Sequence, residues 1–305
     1  DIEEAADEVS EEDLIPEQDI VVVISRDGYI RRMPLQDYRV QQRGGKGVKG
    51  TSLKSEDEVS LVAATTTHRT LYLFTDKGRV FGVRGFILPE PKTGKGKHIG
   101  TIITLEEGEY VVAIRDSRLE GAKYIFFVTR NGTAKRLPVE ELDGLTRAGR
   151  RVLGLTEGDA IARVRTTSGE DDLLLTTAKG QTLRVNEDEF RPLGRAAQGV
   201  RGIRLDDGDS VVGCDIVSDS RKVFFVSEFG IGKRTQYDQF TPHHRGGYGV
   251  RAMKLSEKTG DLIGAWGVRD DDEIIVITSK GRVVRIPAND ISTLSRDATG
   301  SAVVS

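Results

Sequence analysis

The sequence has few cysteines, few histidines and no long apolar runs, and each shortage excludes a class of protein. Its single cysteine, Cys214, lies in the apolar run VVGCDIV and cannot form a disulfide within the chain. The four histidines have no cysteines or acids at metal-ligand spacing, so no metal site is predicted. No apolar run approaches the roughly 18 to 20 residues of a membrane span, and the N-terminal stretch is acidic where a signal peptide is basic. We therefore expect a cytoplasmic protein.

Positive charge is missing from residues 1–19, which carry ten acidic side chains and no lysine or arginine. The whole chain has 45 lysines and arginines and 48 aspartates and glutamates, so 38 acids remain against 45 bases once those ten are set aside. We expect residues 1–19 to form an acidic, disordered linker that is either simply solvated or competes for a basic surface. The remainder, residues 20–305, is predicted to attract a polyanion.

Six apolar runs, each ending in a polar turn with glycine, recur about every 50 residues. The first is VVVISRDGYIRR and the last is IIVITSKGRVVR, and their residue types and two-residue turns predict β-hairpins. An acid-led apolar run follows in five repeats, and no amphipathic helix is predicted. The pattern predicts an all-β propeller of six four-stranded blades, with repeats at 20–69, 70–122, 123–172, 173–221, 222–272 and 273–305.

Positive charge recurs at two places in the repeats. One basic residue lies in the loop after each hairpin, and we call these the loop bases: Arg43, Lys92, Arg147, Arg195, Arg245 and Arg296. A second lies four residues after the hairpin glycine in five repeats, and we call these the hairpin arginines: Arg32, Arg136, Arg184, Arg234 and Arg285. Fixed rings of cations suit a regularly spaced polyanion with phosphate groups, so both sets, with Lys46, Lys49 and Lys95, are predicted to bind a polyanion. The alternative is that these arginines pair with acids of their own blades.

Two further loop positions recur. Four positions after the loop bases stand Gly47, Gly96, Arg151, Gly199, Gly249 and Gly300. Two positions after the loop bases stand residues that are small in all six repeats: Gly45, Gly94, Gly149, Ala197, Gly247 and Ala298. Glycines such as those of QQRGGKG would let the backbone pass close to a neighbouring blade or to a phosphate, where a side chain would obstruct.

Catalytic motifs are absent from the sequence. Residues 45–50 match G-x-G-x-x-G, but they lack the preceding strand and following helix that a dinucleotide-binding loop needs. No stretch fits the Walker pattern, and no Ser/His/Asp or Cys/His grouping can be nominated. We predict no catalytic residue, metal or cofactor for this chain.

The stretch QQRGGKG, preceded by EDLIPEQDIVVVISRDGYIRRMPLQDYRV, closely resembles the signature box and first blade of the C-terminal domain of the DNA gyrase A subunit, part of a type IIA topoisomerase. The resemblance covers nearly all of the chain. It implies a six-bladed β-pinwheel that wraps double-stranded DNA around a basic rim, so that the enzyme introduces negative supercoils. It also implies as partners the N-terminal domain of the gyrase A subunit and the gyrase B subunit, with ATP and Mg²⁺ used by the rest of that heterotetramer.

The resemblance places the box on seven consecutive residues: Gln41, Gln42, Arg43, Gly44, Gly45, Lys46 and Gly47. Gln42 stands where the family usually has arginine. The family's winged-helix region with its DNA-cleaving tyrosine is missing, so the resemblance implies a fragment without breakage activity. Two alternatives stay open: the equivalent domain of the topoisomerase IV A subunit, whose box is typically degraded, and a propeller-type scaffold for protein interactions.

Overall fold

The structure is a computed structural model that describes residues 11–43, 59–278, 280 and 282–304. The chain divides into two compact units. Unit 1 comprises Asp1–Thr75, Val80–Glu120 and Gly144–Arg150, and unit 2 comprises Asp76–Arg79, Gly121–Asp143 and Arg151–Ser305. Within the described ranges, no helix is both long and apolar enough to span a membrane.

Short strands make up most of the regular structure, as the apolar runs predict. In chain order they are β1 (Asp19–Ser25), β2 (Tyr29–Pro34), β3 (Val59–Thr66), β4 (Thr70–Thr75), β5 (Arg79–Arg84), β6 (Lys97–His98), β7 (Val111–Asp116), β8 (Tyr124–Thr129), β9 (Thr133–Pro138), β10 (Arg150–Arg151), β11 (Ile161–Thr167), β12 (Asp172–Thr177), β13 (Gln181–Asn186), β14 (Val200–Arg201), β15 (Val211–Ile216), β16 (Lys222–Ser227), β17 (Ile231–Thr235), β18 (Val250–Arg251), β19 (Leu262–Val268), β20 (Glu273–Ile277), β21 (Val283–Pro287) and β22 (Ser301–Ala302).

Each four-stranded sheet, which we call a blade, combines strands from two consecutive repeats. In the described residues the strand orders are β3-β1-β2-β6, β7-β4-β5-β10, β11-β8-β9-β14, β15-β12-β13-β18 and β19-β16-β17-β22. The three long strands come from one repeat. The fourth strand has only two residues and comes from the loop of the next repeat, so that Tyr29, for example, pairs with His98. This exchange fixes the loops after the second to sixth hairpins, each onto the preceding blade.

The prediction of six four-stranded blades is wrong, because the described residues form five blades and one two-stranded hairpin, β20-β21. After β21 the described residues form one further strand, β22, which pairs with β17 of the fifth blade. Among the described residues, no acid-led strand and no exchanged strand pairs with the sixth hairpin, and Ile275, Ile277 and Val283 are exposed. The prediction of an all-β fold is confirmed.

One α-helix, α1 (Leu35–Arg43), interrupts the β structure, and the sequence patterns did not predict it. Leu35 and Tyr38 pack against a small buried cluster that includes Val21 and Val23 on one face of β1. Val40, by contrast, is exposed. Two inward residues in nine give too little periodicity for recognition from sequence.

The cores lie between consecutive sheets within each unit. In unit 1, Ile20, Val22 and Ile24 of β1 join Leu71 and Leu73 of β4 in one buried cluster. In unit 2, corresponding clusters join strands of the third and fourth blades and of the fourth and fifth blades. The first strand of each of the first five hairpins is buried on both faces, which is why it is an apolar run rather than an alternating pattern.

Candidate nucleic-acid interface

Four of the five hairpin arginines hold neighbouring repeats together instead of facing solvent. Arg32 donates from Nε to the carbonyl oxygen of Leu88 at 2.9 Å. Arg234 makes the same bond to Ile291 at 2.8 Å. Arg184 donates to the carbonyl oxygens of Tyr237 and Phe240, at 3.2 and 3.3 Å. In each case the acceptors belong to the short 3₁₀ turn at the end of the next repeat's hairpin, or to the residue that caps it.

Arg136 reaches the same turn of its following repeat through a carboxylate. Its guanidinium donates to Glu187 at 3.2 Å and lies 4.2 Å from the centre of the Tyr124 ring. Only 7% of the Arg136 side chain and 0% of the Glu187 side chain are exposed. Glu187 also accepts hydrogen bonds from the Thr167 hydroxyl and from the Gly169 and Asp171 amides. A side chain enclosed in this way has no free donor edge for a DNA phosphate.

The hairpin arginines therefore have a structural role in at least the first, third, fourth and fifth hairpins, chiefly through contacts to the next repeat. Arg184 and Arg234 also pair with an acid of their own blade, Asp172 at 2.8 Å and Asp270 at 2.6 Å, as the alternative predicted.

The member in the sixth hairpin, Arg285, is different, because its side chain is 38% exposed and its guanidinium lies 3.5 Å from the Glu273 carboxylate. The exception in the series, Gly82, has a geometric reason. A Cβ atom added there would lie 2.6 Å from the Leu145 carbonyl oxygen, and the Gly82 amide instead donates to Thr146.

The loop bases outside the box are on the surface, with Arg296 less exposed than the others. Lys92, Arg147, Arg195 and Arg245 are exposed, as is Lys95, whose ammonium lies 5.4 Å from the centre of the Tyr29 ring. The Arg195 side chain is 50% exposed beside Glu141 at 3.2 Å, and the Arg296 side chain is 30% exposed beside Asp297 at 3.7 Å. Ion pairs this exposed are weak, so they leave the arginines free to exchange an acid for a phosphate.

The box itself lies largely outside the described residues. Gly44, Gly45, Lys46, Gly47 and Lys49 are not described. Gln41, Gln42 and Arg43 form the last turn of α1. Their predicted part in DNA binding stays a prediction.

Loops of successive repeats are joined by hydrogen bonds. In unit 2, Arg245 donates to the carbonyl oxygen of Arg201 at 3.1 Å, and Arg296 donates to that of Arg251 at 2.8 Å. In unit 1, Arg147 donates twice to Ile102, at 2.9 and 2.8 Å. Each of these bonds ends on or just after the exchanged strand of the preceding repeat. Because a guanidinium has five N–H donors, one such bond orients the side chain and leaves donors for an anion.

The loop glycines allow the exchanged strand to pair closely with the preceding blade. A Cβ atom added at Gly96, Gly199, Gly249 or Gly300 would lie 2.2 to 2.5 Å from a carbonyl oxygen of that blade. Of the two reasons proposed for these glycines, the structure supports close approach to a neighbouring blade. In the third repeat the equivalent residue is Gly149, directly before β10, instead of Arg151 as the spacing of the repeats predicted. The loop from Arg147 to the exchanged strand is therefore two residues shorter.

A further set of exposed cations was missed in the sequence. The second residue of the exchanged strand is Arg151, Arg201 and Arg251 in the third, fourth and fifth repeats, and all three are exposed. Arg204 and Lys254, three residues further, are exposed as well. The signal was the recurrence of GVRGIR at 199–204 as GVRAMK at 249–254. The basic residues of this repeated hexapeptide do not belong to the loop bases or to the hairpin arginines, the two sets whose positions recur through the repeats.

One loop base has a titratable neighbourhood. Glu189 accepts hydrogen bonds from the Arg245 amide at 3.2 Å and from the His244 ring at 2.6 Å. The hydrogen bond from His244 lowers the pKa of Glu189 below its ordinary value. Elsewhere in the described part of the chain, no three side chains of His, Cys, Asp or Glu are grouped as a metal site would require.

Comparison with known proteins identifies the repeats. The family model described as DNA gyrase C-terminal domain, beta-propeller, matches residues 19–66, 69–116, 123–168, 171–218, 221–265 and 272–305. The DNA gyrase A subunit of Aminobacterium colombiense is 56% identical over 301 residues, and that of Halalkalibacterium halodurans is 44% identical over 305. Both alignments cover 99% of this chain and 37% of the relative, so the chain spans well under half the length of these proteins.

Solved structures show the same fold. A C-terminal domain of DNA topoisomerase IV superposes with a TM-score of 0.80 at 26% identity, covering 95% of this chain and 90% of the other. A DNA gyrase A C-terminal domain superposes with a TM-score of 0.73 at 24% identity, covering 94% and 96%. The topoisomerase IV alternative is less well supported, because relatives of much higher identity are gyrase subunits. The six matched repeats, the exchanged-strand blades and these relatives show that the chain belongs to the DNA gyrase C-terminal domain family of β-propellers.

Proposed function

We propose that this chain binds duplex DNA without sequence preference through the loop bases and wraps the duplex. The observation that carries the proposal is the series of exposed, mutually bonded basic loops in unit 2, where Arg195, Arg245 and Arg296 recur at the same place in consecutive repeats. Phosphate contacts from such side chains supply affinity that does not depend on sequence.

The parts of the fold that carry these cations are suited to contacts with the DNA phosphate backbone and not to direct readout of the bases. Direct readout uses a helix or a two-stranded ribbon that enters the major groove. The loop bases lie on short loops whose backbones are tied to a blade, and none lies on a helix or ribbon apart from Arg43 at the end of α1. We therefore expect affinity to depend on salt and on DNA flexibility more than on sequence.

Wrapping follows from repetition of the contacts. Bending a 20 to 30 bp site by 40 to 90° costs of order 1 to 6 kcal/mol, so contacts must recur along the DNA to offset that cost. In the full-length protein, we propose, the wrapped DNA is presented for strand passage and negative supercoiling. The partners there are the N-terminal domain of the gyrase A subunit and the gyrase B subunit, which use ATP and Mg²⁺. For this chain alone we propose no catalytic residue, and we place it in the cytoplasm.

A salt titration tests the proposal. If about six phosphates are neutralised, log K for a nonspecific duplex falls with log salt at a slope near −5, from roughly −0.9 per phosphate. Replacing Arg195, Arg245 and Arg296 by alanine should reduce the magnitude of that slope by about 2 to 3. The matched control replaces Lys179, Lys222 and Lys258 by alanine. These three lysines of unit 2 lie outside the loops that carry the loop bases, so the control should leave the slope nearly unchanged.

A second measurement separates wrapping from binding. Fluorescence transfer between the ends of a long duplex reports bending, whereas affinity for a short duplex reports local contact. The loop triple variant should lose more of the bending than of the short-duplex affinity, because a short duplex can settle on the remaining bases. A wild-type slope near zero would instead favour the scaffold alternative, in which the surface charge is incidental.

A further inference from the structure

We propose that Lys135 and Lys233 are positioning residues, each of which holds the basic loop of the following repeat so that Arg195 or Arg296 is presented to a phosphate. The inference rests on the proposed DNA binding and names residues that themselves never touch DNA. Neither lysine belongs to the loop bases or to the hairpin arginines.

The Lys135 ammonium lies within a group of backbone carbonyls. The residue lies in β9 and is 1% exposed. Four backbone carbonyl oxygens lie within hydrogen-bond distance of its Nζ and share its three N–H donors: Gly194 at 2.5 Å, Val152 at 2.8 Å, and Arg195 and Ala197 at 3.0 Å each. Three of these four acceptors belong to the loop that carries Arg195.

The same device occurs a second time. Lys233 lies in β17, is 0% exposed, and donates to Ser295 and Arg296 at 2.8 Å and to Ala298 at 2.7 Å. Each lysine follows the glycine of its hairpin by three residues. The accepting carbonyls occupy equivalent positions in the two loops, because residues 194, 195 and 197 of one loop correspond to residues 295, 296 and 298 of the other. Two copies of the same contact set show that the geometry is built by the repeat.

Burying an ammonium is costly unless its donors are satisfied, so these contacts are specific. Burial lowers the pKa of both lysines to about 8. In each loop one acceptor is the carbonyl of the arginine itself, and the others flank it. The base of that arginine is thereby fixed to the blade while its guanidinium stays at the surface.

The intervening loop is held differently, which makes it an internal control. Leu183 takes the lysine's position in the fourth hairpin, and no ammonium reaches the loop of Arg245 from there. That loop is held by Glu189 from outside and by amide bonds, including one from Gly246 to the carbonyl of Gly202 at 2.7 Å. Only the loops of Arg195 and Arg296 should therefore depend on a lysine.

The test is a double-mutant cycle on DNA binding. The variants are Lys135→Met, Arg195→Ala and their combination, with Lys233→Met and Arg296→Ala as an independent second pair and Leu183→Met as the control. Each lysine variant should reduce the magnitude of the salt slope by about 1, which is also the reduction expected for the alanine variant of its arginine partner. The double variant should reduce the slope by no more than either single variant does, because both changes remove the same contact. Leu183→Met should leave the slope unchanged.

Two results overturn the inference. One is a lysine variant that keeps the wild-type salt slope although the alanine variant of its arginine partner has a reduced slope. The other is a double variant whose reduction in slope equals the sum of the reductions in the two single variants. If the arginine variants themselves keep the wild-type slope, the proposed DNA site fails at those loops, which is a distinguishable outcome. Lys→Gln variants, which keep two N–H donors, should recover part of the slope.

The wild-type protein provides the readout if the lysine variants do not fold. Raising the pH from 7 to 9.5 removes a donor from each ammonium, and the charged groups facing them are Glu141 for Lys135, and Asp297 and Arg296 for Lys233. Each lysine binds its proton less tightly when buried than when the loop opens and solvates it, so the higher pH favours the closed loop. Amide exchange, corrected for its intrinsic pH dependence, should then decrease in residues 194–199 and 295–300 more than in residues 243–249. Equal changes in all three loops would contradict the positioning role.

Discussion

The hairpin arginines and the loop bases have the same chemistry and recur at fixed offsets, yet the structure uses them in opposite ways. Arg136 and Arg234 are buried against the next repeat, whereas Arg195 and Arg245 are exposed on loops. Arg136 and Arg234 lie on strands that an exchanged strand and the next turn cover. Arg195 and Arg245 lie just before the point where the chain rejoins the preceding blade. A charge that recurs at a fixed offset therefore shows that the same role is repeated along the chain. Whether that role is packing or binding depends on whether the backbone of the neighbouring repeat covers the side chain.

The largest expected effect on stability is at the buried pair. Arg136→Met removes the partner of Glu187 and should lower the free energy of unfolding by about 3 to 5 kcal/mol, because a carboxylate is left buried without its counter-charge. Urea unfolding followed through the fluorescence of Trp266, the single tryptophan, measures the change. The control is Arg285→Met at the equivalent, exposed position, which should cost less than about 1 kcal/mol. Similar losses for both variants would contradict the assigned packing role.

The next effect separates two glycines of one basic loop. Gly249 has φ +78°, and an added Cβ would lie 2.5 Å from the Thr182 carbonyl oxygen, whereas an added Cβ at Gly247 meets nothing within 4 Å. Gly249→Ala should therefore destabilise the chain by about 1 to 3 kcal/mol, and Gly247→Ala by much less. The same unfolding assay compares them. Equal effects would mean that the exchanged strand does not need the close approach.

A smaller effect should appear with pH. The pKa of Lys135 and Lys233 is about 8 in the folded chain and about 10.5 when solvated, so between these values the folded chain releases protons that the unfolded chain keeps. Stability from these groups therefore rises with pH, by about 1 kcal/mol per lysine between pH 7 and 9. The measurement compares urea midpoints of the wild type and of the Lys135→Met, Lys233→Met double variant. The prediction fails if both show the same pH dependence.

The smallest effect on stability is expected at the loop bases. Alanine at Arg195, Arg245 and Arg296 should change the free energy of unfolding by no more than about 0.5 kcal/mol per site, since exposed ion pairs contribute little. The same triple variant should have the largest effect on the salt dependence of DNA binding. A loss of stability comparable to that of Arg136→Met would show that the loop bases, too, are packing residues.

Much of the local structure could be predicted from the sequence. The hairpins at Gly28 and Gly78 follow from apolar runs and turn residues, and in the structure both glycines have positive φ. The number of complete blades could not be predicted, because it depends on which strand pairs with β17 and which with β21. Helix α1 was missed because its sequence has no clear helical periodicity. The exposed cations Arg201 and Arg251 were missed because only some of the repeats have an arginine at that position.

The sequence alone determined the repeat, the β class and the places where positive charge recurs, because turn chemistry, side-chain apolarity and spacing are properties of neighbouring residues. Only the tertiary structure decided that each blade takes its fourth strand from the next repeat, that Arg32, Arg136, Arg184 and Arg234 hold the following turn, and that Lys135 and Lys233 lie beneath the loops of Arg195 and Arg296. These contacts join residues about 50 to 70 positions apart. Which acceptor a buried cation finds depends on the backbone that packs over it, and a single repeat does not contain that backbone.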